Sequence, residues 1–303
     1  MKRNRLGTSE LMVGEVGLGC MSLGTDHQHA ISMIHAALER GVNFLDTADL
    51  YDEGLNEEIV GEAIHGRNRG ELIIATKVGN RRIPGREGWV WDASKAYILS
   101  AVKESLKRLR TDYIDLYQLH GGTLADPIDE TIEAFEQLKR EGIIRYYGIS
   151  SIRPNVIREY TSRSSIVSVM SQYSLLDRRP EEAVLPWLNE HSISMIARGP
   201  VAKGILSNGG QRLQEEYLDY TGESLYNLYP KLLNLADSNG RNLSQLAIRY
   251  ALSHPAVAVT IPGASSLNQL LENIDGAEAP PLREEEVILL QKLTRPNRYE
   301  QHR

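Results

Sequence analysis

The sequence predicts an α/β chain closed into a (β/α)8 barrel with a small N-terminal β-hairpin. Three observations predict it. Short apolar runs alternate with amphipathic helical stretches from end to end, with no all-strand or all-helix half. The alternation gives eight strand–helix units. No linker divides the 303 residues, so positions 1–303 are expected to form a single domain with ample core.

The elements follow in order. Residues 3–14 (RNRLGTSELMVG) read as the hairpin, and 16–19 as the first strand. The first helix carries Ile31, Ile34 and Leu38 on one face. Residues 42–46 (VNFLD) are the second strand. Asn56 stands where it can cap the next helix, with Glu57 and Glu58 in its first turn and Ile59 and Ala63 as its apolar stripe. Residues 72–77 (LIIATK) are the third strand. Ser94 caps a helix whose inner face holds Ile98, Val102, Leu106 and Leu109. Residues 113–120 (YIDLYQLH) are the fourth strand, and Asp126 and Pro127 open a helix as N-cap and first residue. Residues 143–150 (IIRYYGIS) are the fifth strand. The second half repeats the rhythm: helix 154–160, strand 166–172, helix 180–190, strand 193–197. A less regular stretch, 203–227, precedes a helical pair over roughly 228–253. The eighth strand is 257–261, and 267–274 starts the last helix.

An open doubly wound sheet is the competing fold. Its dinucleotide fingerprint fails here. Gly17 and Gly19 make a G-x-G, but the third glycine is misplaced and no acidic strand end follows at ribose distance.

Charge and cysteine usage narrow the function. The net charge is −6 and no long basic run exists, so neither nucleic acid nor an anionic membrane is an expected partner. No apolar run approaches the ~20 residues that span a bilayer. Glu10 and Glu15 interrupt the stretch after MKRNR, which argues against a signal peptide. The single cysteine, Cys20, cannot form an internal disulfide and fits a reducing compartment, so the expected location is cytoplasmic.

A (β/α)8 barrel places its active site at the C-terminal ends of its strands. Asp46 ends the second strand, Tyr51 follows it, Lys77 ends the third and His120 ends the fourth. Three adjacent strands therefore bring four polar groups to one rim. A buried lysine needs a partner, and Asp46 on the neighbouring strand is the natural one. A phenol has a pKa near ~10, and an ammonium beside Tyr51 is expected to lower it. Tyr51 then serves as a proton donor to a carbonyl oxygen, which His120 can orient. Other constellations are weaker. His27 and His29 form an H-x-H without a third ligand, so no metal is expected. Tyr51 occupies a ligand position in any EF-hand register begun at Asp49. No phosphate-binding P-loop or G-x-S-x-G elbow is present.

The segments DTADLY, IATKVG and LYQLHG closely resemble the aldo-keto reductases. The likeness runs from RLGTSELMVGEVGLGCM to IPGASSLNQLLENI. The resemblance implies a TIM barrel that binds NADP(H) without a Rossmann fold and reduces aldehydes or ketones. It implies a catalytic tetrad of Asp46, Tyr51, Lys77 and His120, with Tyr51 as the donor. It also implies cofactor contacts. Cys20 and Met21 fall where the first strand's loop meets the cofactor, and Asp46 is a further contact. Ser150, Ser151 and Gln172 fall where the nicotinamide amide is held, although many members have Asn where Ser151 stands. Arg198, Gly199 and Pro200 fall on a segment that usually begins with an aromatic stacked on the nicotinamide; the planar guanidinium of Arg198 can stack instead. Val201, Ala202, Lys203 and Gly204 should approach the pyrophosphate. Gly263 and Gln269 occupy positions where some branches grip a 2′-phosphate with Lys and Arg. Ser265, Gln269, Glu272 and Asn273 resemble the branch of bacterial general-stress reductases and potassium-channel β-subunits, which binds NADP(H). A helix N-terminus there favours an anion in any case.

The loop 79–93 is long for its position and supplies Trp89 and Trp91 as expected contacts for a partly apolar carbonyl substrate. Arg81, Arg82 and Arg86 are expected to be solvated. Two other functions compete: a Schiff-base lyase with Lys77 as nucleophile, and a nucleotide-sensing regulatory subunit. The lack of an added N-terminal docking segment counts against the second.

Overall fold

The computed structural model describes residues 1–83, 85, 87–207 and 213–303. Arg86 and positions 208–212 of the irregular stretch lie outside them. The strands are β1 (Arg3–Arg5), β2 (Met12–Gly14), β3 (Leu18–Gly19), β4 (Phe44–Asp46), β5 (Ile73–Val78) and β6 (Asn80–Arg82). They continue with β7 (Trp89–Trp91), β8 (Ile114–Leu119), β9 (Ile144–Ser150), β10 (Ser168–Gln172), β11 (Ser194–Arg198) and β12 (Val257–Ile261). The helices are α1 (His27–Glu39), α2 (Leu55–Ile64), α3 (Lys95–Leu109), α4 (Ile128–Arg140) and α5 (Pro154–Arg163). They continue with α6 (Val184–Glu190), α7 (Gly222–Ser238), α8 (Leu243–Ala251), α9 (Leu267–Glu278) and α10 (Glu284–Leu293).

Eight strands run parallel in the order β3–β4–β5–β8–β9–β10–β11–β12. The two edges meet. Val16 pairs with Thr260 and Gly19 with Gly263, and the Gly17 N–H donates to the Thr260 carbonyl at 2.9 Å. The sheet is therefore a closed barrel, and the open doubly wound alternative falls. The antiparallel hairpin β1–β2 closes the bottom. Its Leu6, Leu11 and Val13 pack on Phe44, Ile73 and Leu116 inside the barrel. Each such side chain stabilises by about 1.5–3 kcal/mol. The larger core lies between the outer faces of the strands and the ring of helices. No helix among the described residues is long and apolar enough to cross a membrane.

Several local expectations change. The buried stripe of α1 is Ala30, Met33, Ile34 and Ala37, while Ile31 and Leu38 are half-buried. The small alanines let the helix lie close to its neighbours. Ser94 caps α3 as expected, accepting from the Tyr97 N–H. Asn56 does not cap α2; it lies within the helix, buried, and donates to the Cys20 carbonyl at 2.9 Å. Asp126 does not cap α4 either, because its carboxylate is taken by Trp91 Nε1 at 2.8 Å and the Thr123 N–H at 2.7 Å. The distant Cys20 carbonyl for Asn56, and the distant Trp91 indole together with nearby Thr123 for Asp126, take the side chains from the local helix end. The stretch 180–190 is a 3-10 turn followed by the short α6. The loop 79–93 contains the hairpin β6–β7, and α10 follows the helix expected to be last.

Candidate active site

Alternation along the strands builds the site. Side chains two apart share a face of the sheet. Phe44, Ala75, Leu116, Met170 and Ile196 face the barrel interior. Two residues further up, the same face presents Asp46, Lys77, Gln118, Gln172 and Arg198, with His120 one step above Gln118. The lower layers are apolar and the top layer is polar. This is the C-terminal end of the strands, where the closed hairpin end is farthest away.

Lys77 is fully buried. Its Nζ donates to Asp46 Oδ2 at 2.7 Å, to the Thr47 carbonyl at 2.6 Å and to the Tyr51 hydroxyl at 3.3 Å. Burial pulls the ammonium pKa down, but Asp46 and Tyr51 outweigh it and hold Lys77 above its usual value, so it is charged. Tyr51 is followed by Asp52, Glu53 and Gly54 at φ 46°, 61° and 93°. Left-handed backbone costs non-glycine residues roughly 1–2 kcal/mol each, and here it turns the chain sharply from the tyrosine into α2. Thr47 Oγ1 donates to Asn56 Oδ1 at 2.7 Å, which ties this loop to the helix that follows. The Tyr51 and His120 rings meet edge-on with centroids 5.8 Å apart. Burial first, then the charges of Lys77 and Arg198, drive the His120 pKa down to about 3. The imidazole is therefore neutral at working pH, with one N–H to donate.

One expectation reverses. The phenol of Tyr51 lies above its usual pKa, because burial outweighs the lowering by Lys77. Tyr51 is thus firmly protonated rather than partly ionised.

A cleft of about 1360 Å³ opens over these groups. Asp46, Tyr51 and His120 line its floor, while Lys77 stands beneath it. Of the residues expected at a cofactor, Met21, Ser150, Ser151 and Gln172 line it. So do Arg198, Gly199, Val201, Lys203 and Gly204 on the turn after β11. Gly263, Ser265, Gln269, Glu272 and Asn273 line the far end, at the start of α9. Trp89 and Trp91 line the other end. Three residues are elsewhere. Cys20 is fully buried with its thiol on the Leu18 carbonyl, because the chain coils into a 3-10 turn and swings Met21 and Ser22 outward instead. Pro200 and Ala202 are also buried and do not line the cleft. Arg81 and Arg82 are ion-paired, with Asp92 at 3.2 Å and Glu53 at 2.5 Å, rather than simply solvated. His27 contacts Glu62, His29 contacts the Ser265 carbonyl, and no cluster among the described residues could hold a metal.

Several residues escape sequence reasoning. Gln118 is the register partner of Lys77, and its amide donates to Asp46 Oδ1 at 3.4 Å. Stepping two residues back from His120 would have found it. Trp91 is wedged against Gly79 and Gly121. A Cβ on Gly79 would lie 2.6 Å from the indole, so a glycine is required there. Tyr217, Arg153 and Ser22 also line the cleft, and no local pattern marks them.

The closed barrel thus carries a charged lysine, a protonated phenol and a neutral imidazole at its mouth. Residues 15–295 match the Aldo/keto reductase family. The chain is 57% identical to the uncharacterized oxidoreductase YqkF of Bacillus subtilis (strain 168), with 100% of both chains covered. It superposes on aldo-keto reductase AKR11C1 from Bacillus halodurans, in its holo form, with a TM-score of 0.95. That pair is 57% identical and covers 100% of this chain and 99% of the other. An aldo/keto reductase from Klebsiella pneumoniae, solved in complex with NADP and acetate, gives a TM-score of 0.80 at 28% identity over 100% and 99% of the two chains. The chain belongs to the aldo/keto reductase family of oxidoreductases.

Proposed function

We propose that this protein is an NADP(H)-dependent reductase of small aldehydes or ketones, with Tyr51 as proton donor. The observation that carries the reading is the convergence of Lys77 Nζ on both Asp46 and Tyr51, beneath a cleft that also holds His120. One barrel, taken as a single domain over 1–303, would hold both substrate and cofactor.

The cleft is large enough for a dinucleotide, and its lining suits one. Ala202, Lys203 and Gly204 follow one another at φ 48°, 57° and 90°. Two strained non-glycine residues in a row at a cleft edge point to function, and Lys203 there supplies a cation for a pyrophosphate. At the far end, α9 begins with Ser266 as N-cap, and its N-terminus favours a phosphate. Gln172, Ser150 and Ser151 supply amide and hydroxyl groups for a carboxamide. The Klebsiella enzyme's NADP complex supports the same choice of cofactor. When bound, a reduced nicotinamide supplies a hydride to the carbonyl carbon. His120 donates its N–H to the carbonyl oxygen and orients it. As charge gathers on that oxygen, Tyr51 passes its proton to it. Lys77, held in place by Asp46, stabilises the phenolate that remains. Trp89 and Trp91 present apolar surface to the rest of the substrate. A Schiff-base role for Lys77 is disfavoured, because a buried ammonium bonded to three oxygens and held charged has no free lone pair.

Titration of the protein with NADPH and with NADH, followed by cofactor fluorescence, should give tighter binding of NADPH. Equal affinities would overturn the choice of NADP(H).

A further inference from the structure

We propose that Arg198 sets the redox bias of this site, its unpaired positive charge making the protein hold a reduced, neutral nicotinamide more tightly than the oxidised, cationic one. The inference rests on the cofactor reading above and assigns a direction to it.

Arg198 ends β11 and is exposed to the cleft. It is held in one place. Its Nη1 donates to Gln172 Oε1 at 2.7 Å. The Gln172 amide in turn donates to the Tyr217 hydroxyl at 3.3 Å and the Gly199 carbonyl at 3.4 Å. Gly199, at φ 66°, allows this: a Cβ there would lie 2.2 Å from Gln172 Nε2. The guanidinium is thus tied to a neighbouring strand and to the segment before α7.

Its charge has no ion-pair partner among the described residues, and its field acts on Asp46. Lys77 is paired with Asp46 at 2.7 Å, and Arg179 with Asp177 at 2.7 Å. No carboxylate among the described residues forms an ion pair with Arg198, whose hydrogen-bond acceptor is a neutral amide. Arg153 donates to the Gly122 carbonyl at 2.7 Å, and the remaining charges of the cleft lining are Lys203, Glu216 and Glu272. The field of Arg198 reaches the reaction centre. After burial and Lys77, it is the remaining cause that keeps His120 neutral, and it also acts on Tyr51.

A hydride donor must stand roughly 3–3.5 Å from the carbonyl carbon. The oxygen of that carbonyl meets Tyr51 and His120, so the donor ring lies within the same field. In the reaction the ring's C–H bond breaks with both electrons. They form the new C–H bond at the substrate carbon, the C=O π pair takes the proton from Tyr51, and the ring is left with one positive charge. A fixed cation nearby opposes that charge and leaves the neutral ring unaffected. For unit charges several ångströms apart at a protein surface, the effect is about tenfold in affinity. The phosphates are common to both forms, so the ratio of the two affinities isolates the ring.

Dissociation constants for NADPH and NADP+ should be measured by calorimetry for the wild type, Arg198→Gln and Arg198→Lys. Arg198 is exposed, so neither substitution threatens folding. The wild type should bind NADPH more tightly than NADP+. Arg198→Gln should narrow that ratio about tenfold, chiefly by strengthening NADP+ binding, equivalent to lowering the bound couple's potential by about 30 mV. Arg198→Lys should keep most of the wild-type ratio. A ratio unchanged in Arg198→Gln overturns this inference alone. Failure of the wild type to bind either nucleotide overturns the cofactor reading, and this inference with it.

Discussion

Tyr51→Phe is expected to lower kcat for carbonyl reduction by roughly 10²–10⁴-fold, the usual contribution of a positioned acid. The substitution removes one hydroxyl and keeps the ring, so the edge contact with His120 and the ring's position over Lys77 survive. Cofactor affinity should change little, because in the proposed reaction the phenol meets the substrate oxygen rather than the phosphates or the carboxamide. Neutral His120 cannot replace the donor, since its pKa near 3 makes it a hydrogen-bond donor and not an acid at working pH. Steady-state rates and NADPH titration of the same preparation check both halves. A variant that keeps most of its turnover removes Tyr51 from the acid role.

Lys77→Met is expected to damage stability as well as activity. The side chain of Lys77 is buried with three acceptors, and its loss leaves Asp46 with only the long Gln118 contact of 3.4 Å. Breaking one side of a buried pair typically costs about 3–5 kcal/mol. The loss should depend on pH: burial already holds the Asp46 carboxyl above its usual range in the wild type, against the lowering by Lys77, and removing Lys77 raises it further. Without Lys77, the folded carboxyl titrates still further above an unfolded Asp, whose value is about 3.9. Between those two values the folded state binds more protons than the unfolded one, so stability falls as pH rises. The deficit should be small near pH 4 and largest above the folded pKa. Adding Asp46→Asn to Lys77→Met should recover part of it. Urea unfolding of the wild type, the single variant and the double variant at pH 5 and 8 checks this. A deficit equal at both pH values would mean that Asp46 is not the stranded charge.

The barrel and the cluster at its mouth are legible in sequence for one physical reason. Strand alternation places every second residue inside, and a barrel's functional end is the C-terminal one. Asp46, Lys77 and His120 can therefore be placed from their positions at strand ends. Gln118 is equally inward, but its relation to Asp46 needs the β5–β8 register. Cys20 is misplaced because a 3-10 turn begins at that residue, and one residue of rotation exchanges wall for interior. Asn56 and Asp126 read as helix caps, yet the Cys20 carbonyl and the Trp91 indole recruit them from distant parts of the chain. The direction of the Tyr51 shift is hidden for a different reason. It is a contest between an ammonium and burial, and depth is a property of the fold, not of spacing along the chain.

Isotope transfer tests the central claim most directly. The protein is incubated in ordinary water with an aliphatic aldehyde and NADPH deuterated at both C4 positions. The expected product is the alcohol carrying one deuterium on its carbinol carbon, formed at least about a hundredfold more slowly by Tyr51→Phe. Alcohol without deuterium, or a substrate adduct on Lys77 trapped by borohydride, would contradict hydride transfer with Tyr51 as the acid.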